Sequence, residues 1–226
     1  MDCIKDVLQD YFKELKSRPH HSNLSWENCY KFFYENRSNI VNNDDMLEKA
    51  SLHLAFYLAS WGMYRGSTFI RRYDHNVFKN LIKQLLTECK KLWDKNVTWE
   101  NLEHANNIIS GYFPELKIND KSRNNEKYKN EPTQTLITKI LMGIFGCIPA
   151  YDRYLIKALK ANNICQTYNE ESYKALNDWW KQQKYSEQHY LNGSKIAYPL
   201  MKLIDIYFWS VGEKLEEEEK EKKNKE

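Results

Sequence analysis

The chain has 226 residues, of which 42% are hydrophobic and 14% aromatic, enough to build a core and to exclude wholesale disorder. Its 7 glycines and 5 prolines are too few for the many tight turns of an all-β fold. Its formal charge of +3 falls short of the strongly basic footprint of a dedicated DNA-binding domain. The odd number of cysteines, 5 in all, includes no C-x-x-C pair, which predicts a cytoplasmic protein with reduced thiols and no metal or other cofactor.

Apolar residues recur at helical spacing along most of the chain. The pattern predicts helices over Asp2–Lys16, from Ser25 to Tyr34 or Asn36, over Met46–Tyr64, over Asn76–Asp94, from Thr98 to Ser110 or Gly111, from Thr133 or Thr135 to Phe145, from Ala150 to Lys160, from Asn169 to about Tyr190 and over Ile196–Glu213. Several of these starts carry Asn, Ser or Thr, whose side chains cap the first backbone N–H groups of a helix. No strand is predicted. We expect an all-α fold, an irregular or orthogonal bundle of about eight to ten helices.

The domain organisation follows from charge and polarity. Residues 1–212 are predicted to form a single helical domain, with 119–131 as a polar surface loop inserted in it; the alternative is that this loop separates two lobes. Residues 213–226 form a charged Glu/Lys tail, either a solvated helical extension or disordered. No run of 18 apolar residues exists, so no membrane contact is expected.

An arginine cluster follows the Met46–Tyr64 helix. Three of the chain's seven arginines lie within eight residues, whereas elsewhere 27 lysines far outnumber the other four arginines. The cluster and its aromatic neighbours are Arg65, Arg71, Arg72, Trp61, Tyr64 and Tyr73. Arginine forks bind phosphate or carboxylate oxygens in pairs, and aromatic rings stack on nucleobases. In the alternative interpretation, Arg65 fastens a helix end to a buried carboxylate and the other two are merely solvated.

Nearby, His75 is a candidate acid or base. A comparison with HEPN ribonucleases does not fit, because three residues separate Arg71 from His75 where that family has four to six. Residues four apart still share one face of a helix, so an Arg–His pair remains possible at this point.

A second motif runs from Lys139 to Tyr154, where an apolar helix, a glycine-containing turn and Pro149 precede Asp152. This segment resembles the helix-hairpin-helix DNA glycosylases, in which the hairpin precedes a Pro-Val-Asp segment with a catalytic aspartate. The resemblance covers these residues alone, and the family's Gly-x-Gly signature is missing. It implies Asp152 as the catalytic residue, with His75 or Lys139 assisting. The structural alternative is that Asp152 stabilises the start of a helix.

Two adjacent tryptophans, Trp179 and Trp180, cannot both face one core from a helix. One of them is therefore predicted to be exposed or at an interface, either with a protein partner or with a second copy of the chain. The alternative is a second helical layer that covers the core.

Three function hypotheses remain from the sequence. The first is a helical binding module for a phosphate-bearing partner, nucleic acid or nucleotide. The second is a nucleic-acid enzyme, nuclease or glycosylase-like. The third is a protein-interaction or structural subunit without catalytic activity.

Overall fold

The computed structural model describes residues 3–66, 68–116 and 130–224. Within these residues the chain forms nine α-helices and no sheet, which confirms the all-α prediction. The helices are α1 (Ile4–Ser17), α2 (Leu24–Asn36), α3 (Asp44–Ser60), α4 (Lys79–Glu88), α5 (Trp99–Tyr112), α6 (Gln134–Ile144), α7 (Arg153–Ala161), α8 (Glu170–Gln182) and α9 (Leu200–Lys223). The β-type pairing in the described residues is an isolated antiparallel bridge between Tyr190 and Ala197.

Capping side chains fix several helix starts where the sequence places them. Asn43 Oδ1 accepts a hydrogen bond from the Met46 N–H at 3.0 Å, and Thr98 forms a reciprocal capping box with Asn101. Asn169 accepts from the Ser172 N–H at 2.9 Å. Each of these bonds satisfies an N–H that the helix itself leaves unpaired.

Other predicted helix bounds were wrong. The predicted Asn76–Asp94 helix is α4 flanked by two short 3-10 turns, His75–Phe78 and Lys90–Trp93. Helix α8 ends at Gln182, short of Tyr190, because the chain leaves it through a left-handed backbone at Lys184 (φ 51°). At its start, α2 already includes Ser25, which the sequence placed as a cap.

The C-terminal helix is longer than predicted. Helix α9 begins after Pro199 and continues through the charged tail to Lys223. In the tail, Lys157 of α7 pairs with Glu216 at 2.7 Å and with Glu219 at 2.8 Å. The described part of the tail is therefore a helical extension, and not a disordered one.

The chain divides into two compact units. Unit 1 combines Met1–Glu27 with Gly146–Glu226, and unit 2 is the continuous segment Asn28–Phe145. Most of the predicted loop 119–131 lies outside the described residues, and unit 2 contains the chain on both sides of it. The prediction of one domain for residues 1–212 stays a prediction.

Unit 1 packs α1 and α7 against α9. Fully buried side chains of these helices, of α8, of the start of α2 and of the turn before α7 form its core: Leu8, Trp26, Tyr151, Leu155, Leu159, Leu176, Ile204 and Phe208. One ion pair lies inside it, with Lys202 Nζ 2.7 Å from Asp205 Oδ2 and the two side chains only 6% and 8% exposed. Asp205 Oδ1 also accepts from the Ala150 N–H at 2.9 Å, so this pair ties α9 to the turn before α7.

Close backbone approach marks the packing of α7 on α9. A methyl group at Gly212 would overlap the carbonyl oxygen of Tyr154. Glycine is therefore required at this position, because any side chain would push the two helices apart.

Unit 2 packs α3 against α4 and α6, and α5 against α4 and α6. Its core is formed by fully buried aliphatic and aromatic side chains: Phe33, Ile40, Leu54, Leu58, Phe78, Leu81, Phe113 and Ile140. Helices α3 and α6 meet at Gly143, where an added Cβ would lie 2.8 Å from two ring carbons of Tyr57. The fold of unit 2 places the end of α3, and the arginine cluster that follows it, at its surface.

Candidate functional site

The arginine segment, residues 61–75 without the undescribed Ser67, begins where α3 stops. The Gly62 N–H bonds to the Ala59 carbonyl at 3.0 Å and the Met63 N–H to the Leu58 carbonyl at 2.9 Å. With Gly62 at φ +79°, these bonds form a Schellman motif, which needs a left-handed residue. The helix predicted to reach Tyr64 therefore ends at Ser60, and Tyr64 and Arg65 lie on the connection that follows.

Two apolar anchors hold the segment on unit 2. Phe69 and Ile70 are buried at the start of a 3-10 turn over Phe69–Arg72, and Val77 and Phe78 are buried in the next turn. Between the anchors, Asp74 caps the second turn by accepting from the Asn76 N–H at 3.0 Å. The charged residues between these anchors are thus carried on a backbone that is fixed at both ends.

The arginines of the segment are exposed. Arg65 makes no ion pair with a described residue, and Arg71 donates through Nη1 to the Gly66 carbonyl at 2.6 Å. By contrast, Arg18, directly after α1, pairs with Glu14 at 2.8 Å. The structural alternative for Arg65, a bond to a buried carboxylate, is not found among the described residues.

The acidic residues of this region have other partners. Glu48 on α3 accepts from Lys79 at 3.0 Å, and this ammonium, with a smaller effect of His75, holds the pKa of Glu48 below its ordinary value. Asp74 accepts from the side chain and backbone of Asn76, chiefly the side-chain bond, and its pKa is also lowered. Both carboxylates are therefore ionised at neutral pH. Their hydrogen-bond partners are Asn76 and Lys79, and not Arg65 or Arg71.

The three aromatic rings differ in their surroundings. Trp61 is half-buried beside Lys139, whose Nζ lies 5.5 Å from the indole centroid and 3.0 Å from the Trp61 carbonyl oxygen. Tyr64 and Tyr73 are half-buried, and neither ring contacts another described aromatic ring. Burial, with a smaller contribution from Asp74, raises the pKa of Tyr64 to about 12, so its hydroxyl stays protonated.

Buried polar atoms without a hydrogen-bond partner concentrate here. Within the described residues they include Tyr64 Oη and His75 Nε2, the latter 3.7 Å from Glu48 Oε1. A third is Oδ1 of Asn130, whose Nδ2 donates to the Tyr73 hydroxyl at 3.1 Å and to the Leu116 carbonyl at 3.0 Å. Because a buried unpaired polar atom is costly, such a concentration needs an explanation.

Asn130 is the residue of this region that the sequence did not indicate. It is only 6% exposed although it lies near the end of the segment predicted to be a polar surface loop. A single asparagine before Glu131-Pro132 carries no pattern in one sequence, so only the fold reveals its contact with Tyr73.

Lys139 has a structural position. It is 4% exposed on α6, and its ammonium satisfies the Trp61 carbonyl at the end of α3. A buried cation needs such acceptors. It fastens α6 to the start of the arginine segment, and its predicted catalytic role stays a prediction.

Asp152 belongs to unit 1 and caps α7. Its Oδ1 accepts from the backbone N–H groups of Tyr154 at 3.1 Å and Leu155 at 3.2 Å, which is the structural alternative stated above. The turn before it contains Gly146 at φ +64° and is buried. The resemblance to glycosylases and the catalytic role of Asp152 both stay predictions.

The two tryptophans of α8 also belong to unit 1 and are both half-buried. Trp179 packs on Tyr207 and Phe208, with centroid distances of 4.7 Å to each, and Trp180 packs edge-on against Tyr185 at 5.7 Å. Trp179 and Trp180 thus pack against different aromatic side chains, and the helical pattern of the sequence does not predict these contacts. An interface at this place stays a prediction.

In comparisons with known proteins, no family model, no curated protein and no solved structure matched this chain. Within the described residues, no helix is both long and apolar enough to cross a membrane. The same residues contain no group of three or more His, Cys, Asp or Glu side chains arranged to hold a metal ion. Function is therefore argued from the arginine segment itself.

Proposed function

We propose that the protein binds a phosphate-bearing partner, nucleic acid or nucleotide, through the arginine segment. The observation that carries this proposal is that Arg65 and Arg71 are exposed and make no ion pair with a carboxylate of the described residues. A guanidinium that the fold leaves in this state is ready to bind phosphate oxygens with two N–H groups at once.

The backbone supports the same function. The bond from Arg71 to the Gly66 carbonyl holds the Arg71 side chain beside the residue that follows Arg65. A preorganised loop loses less conformational entropy on binding than a mobile one. The flanking rings of Tyr64 and Tyr73 have no described ring partner and are therefore available to a base.

The test is fluorescence-anisotropy binding to short single-stranded and duplex DNA and RNA at low and moderate salt. We expect the Arg65→Ala/Arg71→Ala variant to bind about tenfold or more weakly than wild type, since charge-assisted hydrogen bonds contribute roughly 1.5–3 kcal/mol each. Wild-type affinity should fall steeply with salt, and the variant should show a shallower slope, because fewer counterions are released.

Arg18→Ala is the matched control, because it removes an exposed arginine that Glu14 already neutralises. It should bind as wild type does. Binding by the double variant that equals wild type, or no binding by wild type at low salt, would contradict the proposal.

A further inference from the structure

The arginines and tyrosines of the segment lie on a loop and a short 3-10 turn, and not on an α-helix. The major groove of a duplex is wide enough to be read by an α-helix or a two-stranded ribbon. Single strands are instead held by cations that follow the backbone and by aromatic side chains on which unpaired bases stack. The placement of these residues therefore favours a single-stranded partner.

We infer that the partner is a single-stranded nucleic acid, that one of its unpaired bases stacks on Tyr73, and that Asn130 is the residue that positions this ring. This inference rests on the proposed phosphate binding and adds the class of partner and the base-binding residues to it.

Tyr73 is held on both its backbone and its side chain. Its N–H bonds to the Ile70 carbonyl at 3.0 Å at the end of the 3-10 turn. Its hydroxyl accepts from Asn130 Nδ2 at 3.1 Å. Hydrogen bonds thus hold both the backbone N–H and the hydroxyl of Tyr73, and no described aromatic ring packs on its side chain. Tyr73 therefore presents a preorganised stacking surface next to Arg71 and Arg72.

The orientation of the Asn130 amide is set by its neighbours. A carbonyl only accepts hydrogen bonds, so the contact with the Leu116 carbonyl at 3.0 Å requires Nδ2 on that side. The same Nδ2 reaches Tyr73, which leaves Oδ1 buried without a described partner.

The unpaired Oδ1 distinguishes a positioning role from a merely stabilising one. A buried acceptor without a partner costs stability, and an apolar side chain of similar size would avoid that cost. Asn130 is only 6% exposed, and its Oδ1 atom has no described partner. An asparagine at this position is explained if its Nδ2 group is needed to hold the hydroxyl of Tyr73. Local conflicts of this kind are expected at functional positions.

The experiment compares three labelled probes of equal length: a single-stranded oligonucleotide, the same strand with abasic sites in place of its bases, and the duplex. We expect wild type to bind the single strand about tenfold more tightly than the abasic strand, the size of one aromatic stacking contact. This ratio should change little with salt although both affinities fall, since stacking, unlike phosphate contact, releases few counterions.

Three variants test whether the preference for the single strand over the abasic strand depends on the Tyr73 ring and on its bond to Asn130. Tyr73→Leu should bring the ratio close to one, whereas Tyr73→Phe, which keeps the ring and removes only the tether, should lower it severalfold. Asn130→Leu should match Tyr73→Phe. All three should keep wild-type affinity for the abasic strand. If Asn130→Leu fails to fold, Tyr73→Phe removes the same hydrogen bond from the other side and decides the question.

The outcomes separate the two proposals. If no probe binds wild type, phosphate binding and this inference both fail. Equal binding of the single strand and the abasic strand, tighter binding of the duplex, or a ratio that Tyr73→Leu leaves unchanged would overturn the inference and leave phosphate binding standing. A melting temperature that falls in Asn130→Leu while the ratio stays at its wild-type value would show a purely structural asparagine.

Discussion

Two lysine–aspartate pairs in unit 1 have the same three-residue spacing and opposite surroundings. Lys202 and Asp205 on α9 are buried, and Lys202 Nζ also lies 4.9 Å from the Trp26 ring. Lys181 and Asp178 on α8 meet at 2.8 Å with side chains 74% and 64% exposed. Burial, and not pairing distance, decides what such a pair contributes.

Lys202→Met should therefore destabilise the protein by roughly 3–5 kcal/mol, because it leaves the Asp205 carboxylate buried without its cation. Lys181→Met should cost less than about 1 kcal/mol. Urea unfolding of both variants measures the difference. Equal costs would mean that water reaches the Lys202–Asp205 pair.

At the scale of helices, the sequence predicted most of the starts and fewer of the ends. Starts such as those after Asn43, Thr98 and Asn169 are encoded by one side chain that bonds to a backbone N–H three residues on. The end of α3 is encoded by Gly62, but Gly66 gives the same signal four residues later, and both adopt positive φ. Only packing decides between two such glycines.

The same limit applies to the candidate site. The arginine segment stands out in the sequence because the chain otherwise uses lysine. The contact between Asn130 and Tyr73 joins residues 57 positions apart, and the pair of Glu48 with Lys79 joins residues 31 positions apart. No local pattern predicts either contact. The contact of Lys139 with the Trp61 carbonyl likewise joins residues 78 positions apart, and no local pattern predicts it.

Two helical glycines of unit 2 provide a test of packing between elements. Gly143 on α6 faces the Tyr57 ring of α3, and an added methyl group would also lie 3.3 Å from Leu54 Cδ1. Gly111 on α5 has nothing within 4 Å of the place where a Cβ would be. Neighbouring side chains therefore leave no room for a larger residue at position 143, whereas position 111 has room for one.

We expect Gly143→Ala to destabilise the protein by about 1–3 kcal/mol through overpacking. Gly111→Ala should stabilise it by about 0.5–1 kcal/mol, since alanine loses less backbone entropy in a helix. Chemical denaturation monitored by circular dichroism gives both values. Stabilisation by Gly143→Ala would show that α3 and α6 separate easily at this point.

At the scale of the whole molecule, one half-buried histidine in each unit acts on stability in the same direction. His53 in unit 2 stacks on Phe32 at 4.4 Å, and burial lowers its pKa below the ordinary 6.5. His189 in unit 1 stacks on Phe12 at 4.1 Å. Burial lowers its pKa too, with Glu187 opposing and Lys16 adding to the effect.

Because the folded pKa values are lower, the unfolded chain binds more protons than the folded one as the pH falls through the unfolded value near 6.5. The free energy of unfolding should therefore decrease between about pH 7 and pH 5. The His53→Gln/His189→Gln variant should show a shallower decrease in urea unfolding at these two pH values. His20→Gln, at an exposed histidine, is the control; a double variant with the wild-type slope would assign the pH dependence to other groups.

The composition of unit 1 from two distant stretches of chain has a consequence during synthesis. A ribosome releases α1 before the whole of Asn28–Phe145, and Asn28–Phe145 before Gly146–Glu226. Unit 2 is therefore complete on the nascent chain while Ile4, Leu8 and Leu15 of α1 still lack the α9 residues that will cover them. The roughly 200 residues between α1 and the end of α9 take about 10–40 seconds at translation rates of about 5–20 residues per second, and during this time the apolar face of α1 is open to a chaperone.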